Sequence, residues 1–125
     1  MREIRAQHEE NRYSAFIDGE LVGHAACLRI GDAVAVPHVQ VEPAFRDLGV
    51  GSELARSMCR DARALGLRVL ALCPFMRRWG QLHPQYGDVL HAPRPGEVAA
   101  IAPFVKAAEF RERQRLRAAD PGHAH

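Results

Sequence analysis

The feature that most constrains this chain is a switch of hydrophobic period at Glu42-Pro43. Before it, apolar and polar residues alternate; after it, from Val50 on, apolar residues recur every three to four positions. Val50, Leu54, Met58, Ala62 and Leu65 share one helical face, and Arg56, Arg60 and Arg63 occupy another. Gly66 is a natural helix terminator. Leu67–Leu72 is then almost continuously apolar, the pattern of a strand buried on both faces. A strand, an amphipathic helix and a buried strand in that order make a crossover between parallel strands. The fold class is therefore α/β (α+β) with a mixed sheet.

The segments before the switch complete that sheet. Glu3–Gln7, Arg12–Ile17, Leu21–Ile30 and Ala33–Val41 read as four strands, with Asp18-Gly19 and Gly31-Asp32 as tight turns, which makes an N-terminal antiparallel meander. Pro37 cannot donate to a ladder, so it predicts an edge, a bulge or strands splaying apart at that point. Counting in twos along this strand puts Val36, His38 and Gln40 on one face. Beyond the buried strand, Pro74 opens a short helix in which Phe75, Trp79 and Leu82 share a face, and His83-Pro84 stops it. Residues 87–103, with Pro93, Pro95, Pro103, Gly87 and Gly96, read as a connector. Phe104–Ala118 reads as a solvated helix carrying Arg111, Arg113, Arg115 and Arg117, and Ala119–His125 as a frayed end.

Length and composition exclude several classes. A chain of 125 residues buries about two-thirds of its surface on folding, enough for a core but not for a separate cofactor domain. The net charge of +2 sets up no field for nucleic acid or an acidic membrane. The basic tail also lacks interleaved aromatics, so nucleic acid is not an expected partner. The three cysteines, Cys27, Cys59 and Cys73, have no CxxC spacing and argue against a disulfide framework. The N-terminus lacks an apolar signal region and no run approaches 18 apolar residues, so the expected location is a reducing cytoplasm, off the membrane. His91, His123 and His125 form no ligand constellation, and no metal is expected.

The segment richest in chemistry is Arg46-Asp47-Leu48-Gly49-Val50-Gly51-Ser52, set between strand and helix. Its glycines let backbone approach a ligand, and the first N–H groups of the helix point outward with the positive end of the dipole behind them. It is neither the dinucleotide GxGxxG pattern nor a P-loop, because no Gly-Lys-Ser/Thr follows. Read alone, it is either a phosphate-binding turn or a glycine-bearing helix entry. His38 is the best general-base candidate, since an imidazole of ordinary pKa, about 6.5, suits proton transfer near neutrality. Cys73 closes the buried strand just before a helix N-terminus, a position that favours thiolate. It reads as pocket lining, nucleophile or a small packing residue. His83 and Tyr86 flank Pro84 as a helix stop or a pocket wall.

The meander, then Val41-Glu42-Pro43 with Arg46 to Ser52, a helix, a buried strand and Cys73-Pro74-Phe75, with His38 and His83-Pro84, resembles the GNAT acyltransferases. The likeness is to their compact single-domain subgroup and spans residues 3–90. It implies that the fourth and fifth strands splay and that coenzyme A enters the wedge. Arg46, Leu48, Gly49, Val50, Gly51 and Ser52 would cradle its pyrophosphate, and Val39 and Val41 would offer backbone to pantetheine. The implied activity is acyl-CoA-dependent N-acyltransfer, acetyl-CoA first, to an unidentified small-molecule or protein amine, by direct transfer in a ternary complex. The alternative is a coenzyme A or acyl-CoA binding module with little or no transfer. Residues 1–90 would form the acyl-CoA-binding domain and 91–125 a connector and helical extension, through which two copies could pair. Three positions depart from the pattern: Asp47 where relatives often have glycine, Gln40 where the subgroup commonly has glutamate, and Trp79 where tyrosine is usual.

Overall fold

In a computed structural model of the chain, residues 3–119 are described. His123 and His125, with all of the end expected to fray except Ala119, lie outside them. The described residues form two compact units, one up to Pro93 and the other from Arg94.

The first unit carries two four-stranded sheets. Strands β1 (Ile4–Glu9), β2 (Arg12–Ile17), β3 (Glu20–Ala26) and β6 (Val39–Val41) lie in the order β1-β2-β3-β6, antiparallel throughout. Strands β4 (Leu28–Ile30), β5 (Ala33–Val36), β7 (Arg68–Ala71) and β8 (Leu90–His91) lie in the order β4-β5-β7-β8. There β5–β7 and β7–β8 are parallel. Helix α1 (Val50–Leu65) makes the crossover and ends at Gly66 as expected, and α2 (Pro74–Leu82) follows β7.

Two strands that read as continuous are broken, and the breaks face each other. Leu28 pairs with Ala35, whereas the Ala26 N–H reaches the His38 carbonyl at 3.1 Å. One residue, Cys27, therefore stands opposite two, Val36 and Pro37. That is a bulge, placed where proline removes a ladder donor. The bulge also overturns the period-two count across it. Val36 is completely buried, His38 is half-buried and Gln40 is exposed. His38 instead groups with His24, whose ring it meets edge-on at 5.8 Å, and His24 is the cross-strand partner of Gln40.

The core lies between α1 and the sheets. Leu54, Ala55 and Cys59 of α1 are 0% exposed, and they belong to one buried cluster with Ala15, Val22 and Ala25 of the first sheet and Val69 of the second. The helix therefore serves as shared filling for both sheets. In α2 the buried residues are Met76 and Trp79, while Phe75 and Leu82 are 38% and 64% exposed. Trp79 faces inward as expected, but Met76 takes the place expected of Phe75, which lies against Gly51 of α1.

In the second unit α3 runs Glu97–Ala119 and carries Pro103 inside it, so the helix begins well before Phe104. A turn ahead of it is closed by reciprocal bonds at 2.9 Å: the Arg94 N–H to Glu97 Oε1 and the Glu97 N–H to the Arg94 carbonyl. The first seven residues of α3 and the short β8 replace about half of the expected connector with regular structure. Val98, Phe104 and Phe110 are exposed on this helix.

Candidate functional site

The turn before α1 has the backbone its sequence requires. A 3₁₀ turn at Pro43–Phe45 leads into residues 46–49, all exposed. Asp47 sits at φ 69 and Gly49 at φ 86, both left-handed. The Gly49 position is one that L side chains adopt only under strain. Asp47 thus holds a glycine-like conformation with an aspartate side chain. The Gly49 carbonyl accepts the first helical bond from the Glu53 N–H at 3.0 Å, and no side chain caps the helix. The N–H groups of Val50, Gly51 and Ser52 thus lack helical acceptors, at the positive end of a sixteen-residue dipole. At Gly51 a Cβ would lie 2.7 Å from Phe75 Cζ, so a side chain there would have to push aside the Phe75 ring lying across the first turn.

Beside this turn the sheet opens. The fourth-strand segment pairs with β7 from Ala33↔Arg68 to Val36↔Ala71. Past the bulge it pairs only with β3, and β6 is an edge of its sheet. The His38 carbonyl accepts from Ala26, and the Glu42 N–H donates to the Val22 carbonyl at 2.8 Å. Alternate residues of an antiparallel ladder turn their backbone groups to the same side. His38, Gln40 and Glu42 therefore face β3, and Val39 and Val41 present N–H and C=O to the open edge. The side chains of Val39 and Val41 pack on the core.

His38 lies at the mouth of this opening, beside the bulge. Cys73 follows β7 as the N-cap of α2, buried, with its carbonyl accepting the Arg77 N–H at 3.2 Å. The other two thiols are in the core: burial pushes Cys27 up to about 12, and burial, opposed by Arg63, pushes Cys59 up to about 12. Neither is a nucleophile near neutral pH. The Tyr13 hydroxyl is raised too, by burial and then by its hydrogen bond to Asp61, and serves as a structural donor. Among the described residues no group of three potential ligands could hold a metal ion.

One cluster has no signal in the sequence. Trp79 Nε1 donates to Ser52 Oγ at 2.8 Å, across 27 positions of chain. The indole stacks on His83 with centroids 4.2 Å apart and lies 5.1 Å from the Tyr86 ring. His83 Nδ1 is 2.8 Å from the Trp79 carbonyl, so Nδ1 donates and carries the ring proton. Arg63 lies over Tyr86 at 5.2 Å and grips Asp88 with two bonds of 2.6 and 2.7 Å. His83 and Tyr86 are thus parts of a stack that supports α2 against α1. Pairings of 25 and 27 residues leave no local periodicity to read.

The geometry is matched by known proteins. An NMR structure of a GCN5-like putative N-acetyltransferase from Staphylococcus aureus aligns at 18% identity and a TM-score of 0.59, covering 72% of this chain and 90% of that one. The ribosomal-protein-S18-alanine N-acetyltransferase of Escherichia coli aligns at 15% identity and a TM-score of 0.46, covering 50% of this chain and 42% of that one. A GNAT family acetyltransferase from Brucella melitensis, solved with acetyl-CoA, aligns at 27% identity and a TM-score of 0.45, covering 55% and 51%. The chain thus spans less than half of the E. coli enzyme and nearly all of the first S. aureus protein, whose likeness establishes the fold. Comparison with curated proteins finds no match. The family described as GCN5-related N-acetyl-transferase matches residues 12–89, which takes in the meander from β2 onward, the bulge, the turn before α1, the crossover and the aromatic stack; the chain belongs to that family.

Proposed function

We propose that this chain is an acyl-CoA-dependent N-acyltransferase, with acetyl-CoA as the first donor and a primary amine as acceptor. The observation that carries the reading is the meeting of two open sets of backbone groups: the unpaired edge at Val39 and Val41, and the uncapped N–H groups of Val50, Gly51 and Ser52. The first suits the amides of pantetheine and the second a pyrophosphate. No lysine lies among residues 46–52, so the turn binds anions by backbone, Ser52 and Arg46.

The amine nitrogen bonds the thioester carbon, the C–S bond breaks, and the coenzyme A thiolate leaves, taking up as thiol the proton that the amine gave up. His38 takes the proton lost by the attacking amine at an imidazole nitrogen. It is half-buried beside the open edge, where its ring is ordered against His24. Gln40, exposed on the same face, cannot take a proton. Cys73 lines the opposite wall as a buried thiol.

The Asp47 carboxylate opposes anion binding at this turn, whereas Glu53 in the first turn of α1 is paired with Arg56 and Arg60. A unit charge about 6 Å from a phosphate in water costs about 0.7 kcal/mol. Asp47→Gly is therefore expected to tighten coenzyme A about threefold. Because glycine adopts φ 69 without strain, stability should stay within about 1 kcal/mol of wild type. Calorimetric titration and urea unfolding read the two effects, and a weaker affinity would place the phosphates elsewhere.

The decisive experiment is thiol release from acetyl-CoA across a panel of amines, beside a thermal-shift titration with acetyl-CoA. Binding should raise Tm, and at least one amine should accelerate thiol release. His38→Ala should lower that amine-dependent rate about a hundredfold with affinity for coenzyme A unchanged. A second reading, a coenzyme A binding module without transfer, is favoured by Gln40 and by the use of the Trp79 N–H inside the protein. A Tm shift without amine-dependent thiol release would select it.

A further inference from the structure

We propose that Trp79 is a positioning residue for the phosphate turn: its indole N–H holds Ser52 so that the serine hydroxyl is left only to donate, toward a phosphoryl oxygen at the N-terminus of α1. This deepens the reading of that turn as the coenzyme A site and rests on it.

The inference follows from counting donors and acceptors. A serine hydroxyl has one proton and two acceptor lone pairs, whereas an indole N–H only donates. Trp79 Nε1 fills one lone pair at 2.8 Å, and Arg56 Nη2 leans toward the other at 3.5 Å. Two donors on one oxygen leave it only the capacity to give its own proton. Within a helix a serine commonly gives that proton to the carbonyl four residues back. For Ser52 that residue is Leu48, outside α1 in the exposed turn. The third residue of a helix, with its own N–H also unpaired, thus offers two donors side by side. An anion made only of acceptors is the ligand such a pair recognises.

The indole is built to hold this direction. It is 4% exposed, stacked on His83, and His83 is tied back to the Trp79 carbonyl. Tyr86 closes the third side under the guanidinium of Arg63, which Asp88 holds through both carboxylate oxygens. A buried indole N–H needs an acceptor, and the acceptor it finds here is the one hydroxyl of the phosphate turn.

The test is a double-mutant cycle read by titration with coenzyme A, alongside urea unfolding of each protein. Trp79→Phe keeps an aromatic ring and removes the N–H; Ser52→Ala removes the hydroxyl. Each is expected to weaken coenzyme A about tenfold, as loss of a hydrogen bond to a charged group does. The double variant should bind no more weakly than Ser52→Ala alone. A Trp79→Phe loss that persists in full without Ser52 would overturn the inference, because Trp79 would then act through packing. A measurement on the wild type guards against a variant that folds poorly. Trp79 is the sole tryptophan, so its indole N–H gives one resonance in a ¹H–¹⁵N spectrum. That resonance should move when coenzyme A saturates the protein, and stay still in Ser52→Ala under the same addition. An unmoved indole in a wild type that binds coenzyme A overturns the inference and leaves the cofactor reading standing. A wild type that takes up no coenzyme A removes both.

Discussion

Gly49→Val should weaken coenzyme A by at least about a hundredfold, a loss of about 2.7 kcal/mol of binding, while costing about 1–2 kcal/mol of stability. The asymmetry follows from the surroundings of this residue. Its φ of 86 strains any L side chain, so some stability must be lost. Nothing lies within 4 Å of an added Cβ, so strain is the whole of that loss. The empty space is where backbone and phosphate must meet. Gly49→Asn separates the two terms, since asparagine tolerates the left-handed region yet still fills the approach. It should fold nearly as well as wild type and bind as poorly as the valine variant. Retained affinity in either variant would show that the turn is only a helix entry. Gly51 is a different case, because a side chain there strikes the Phe75 ring before it meets any ligand.

Leu54→Ala should remove about 3 kcal/mol of stability and lower Tm by about 10 °C. Leu54 is 0% exposed, and its helix packs against strands of both sheets. The two sheets diverge past the bulge, so α1 is what keeps their opening at a fixed width. A void at its centre lets each sheet settle independently. Affinity for coenzyme A is expected to fall with stability, in contrast to Gly49→Val. Urea unfolding and calorimetric titration on the same samples measure both. A Leu54→Ala protein as stable as wild type would mean that the sheets hold each other without the helix.

The contrast between those two residues follows what was legible from the start. Helix α1 was readable from Val50 to its end at Gly66, because a long helix with one apolar face leaves a periodic trace and glycine marks its stop. The turn at Asp18-Gly19 and the buried run Leu67–Leu72, which holds β7, were readable for the same local reasons. Pro37 signalled the break in its strand. It could not say that Cys27 would face both Val36 and Pro37, and so it misplaced Val36 relative to His38. In α2 the shift from Phe75 to Met76 had no local cause. It arises because Phe75 is taken up by Gly51, 24 positions away.

Of the candidate site, the glycine turn and His38 carry their chemistry in residue type and spacing. The contribution of Val39 and Val41 is backbone, and which edge their N–H groups face depends on the register with β3. The Ser52–Trp79 bond and the Arg63–Asp88 clamp join residues 27 and 25 apart. By itself the sequence determined the order of strands and helix, the turn before α1 and the family, since each rests on neighbours in the chain. Only the tertiary structure decided the bulge at Cys27, which face His38 shares and what holds the Ser52 hydroxyl. Those depend on pairing and packing between distant segments, which no local pattern encodes.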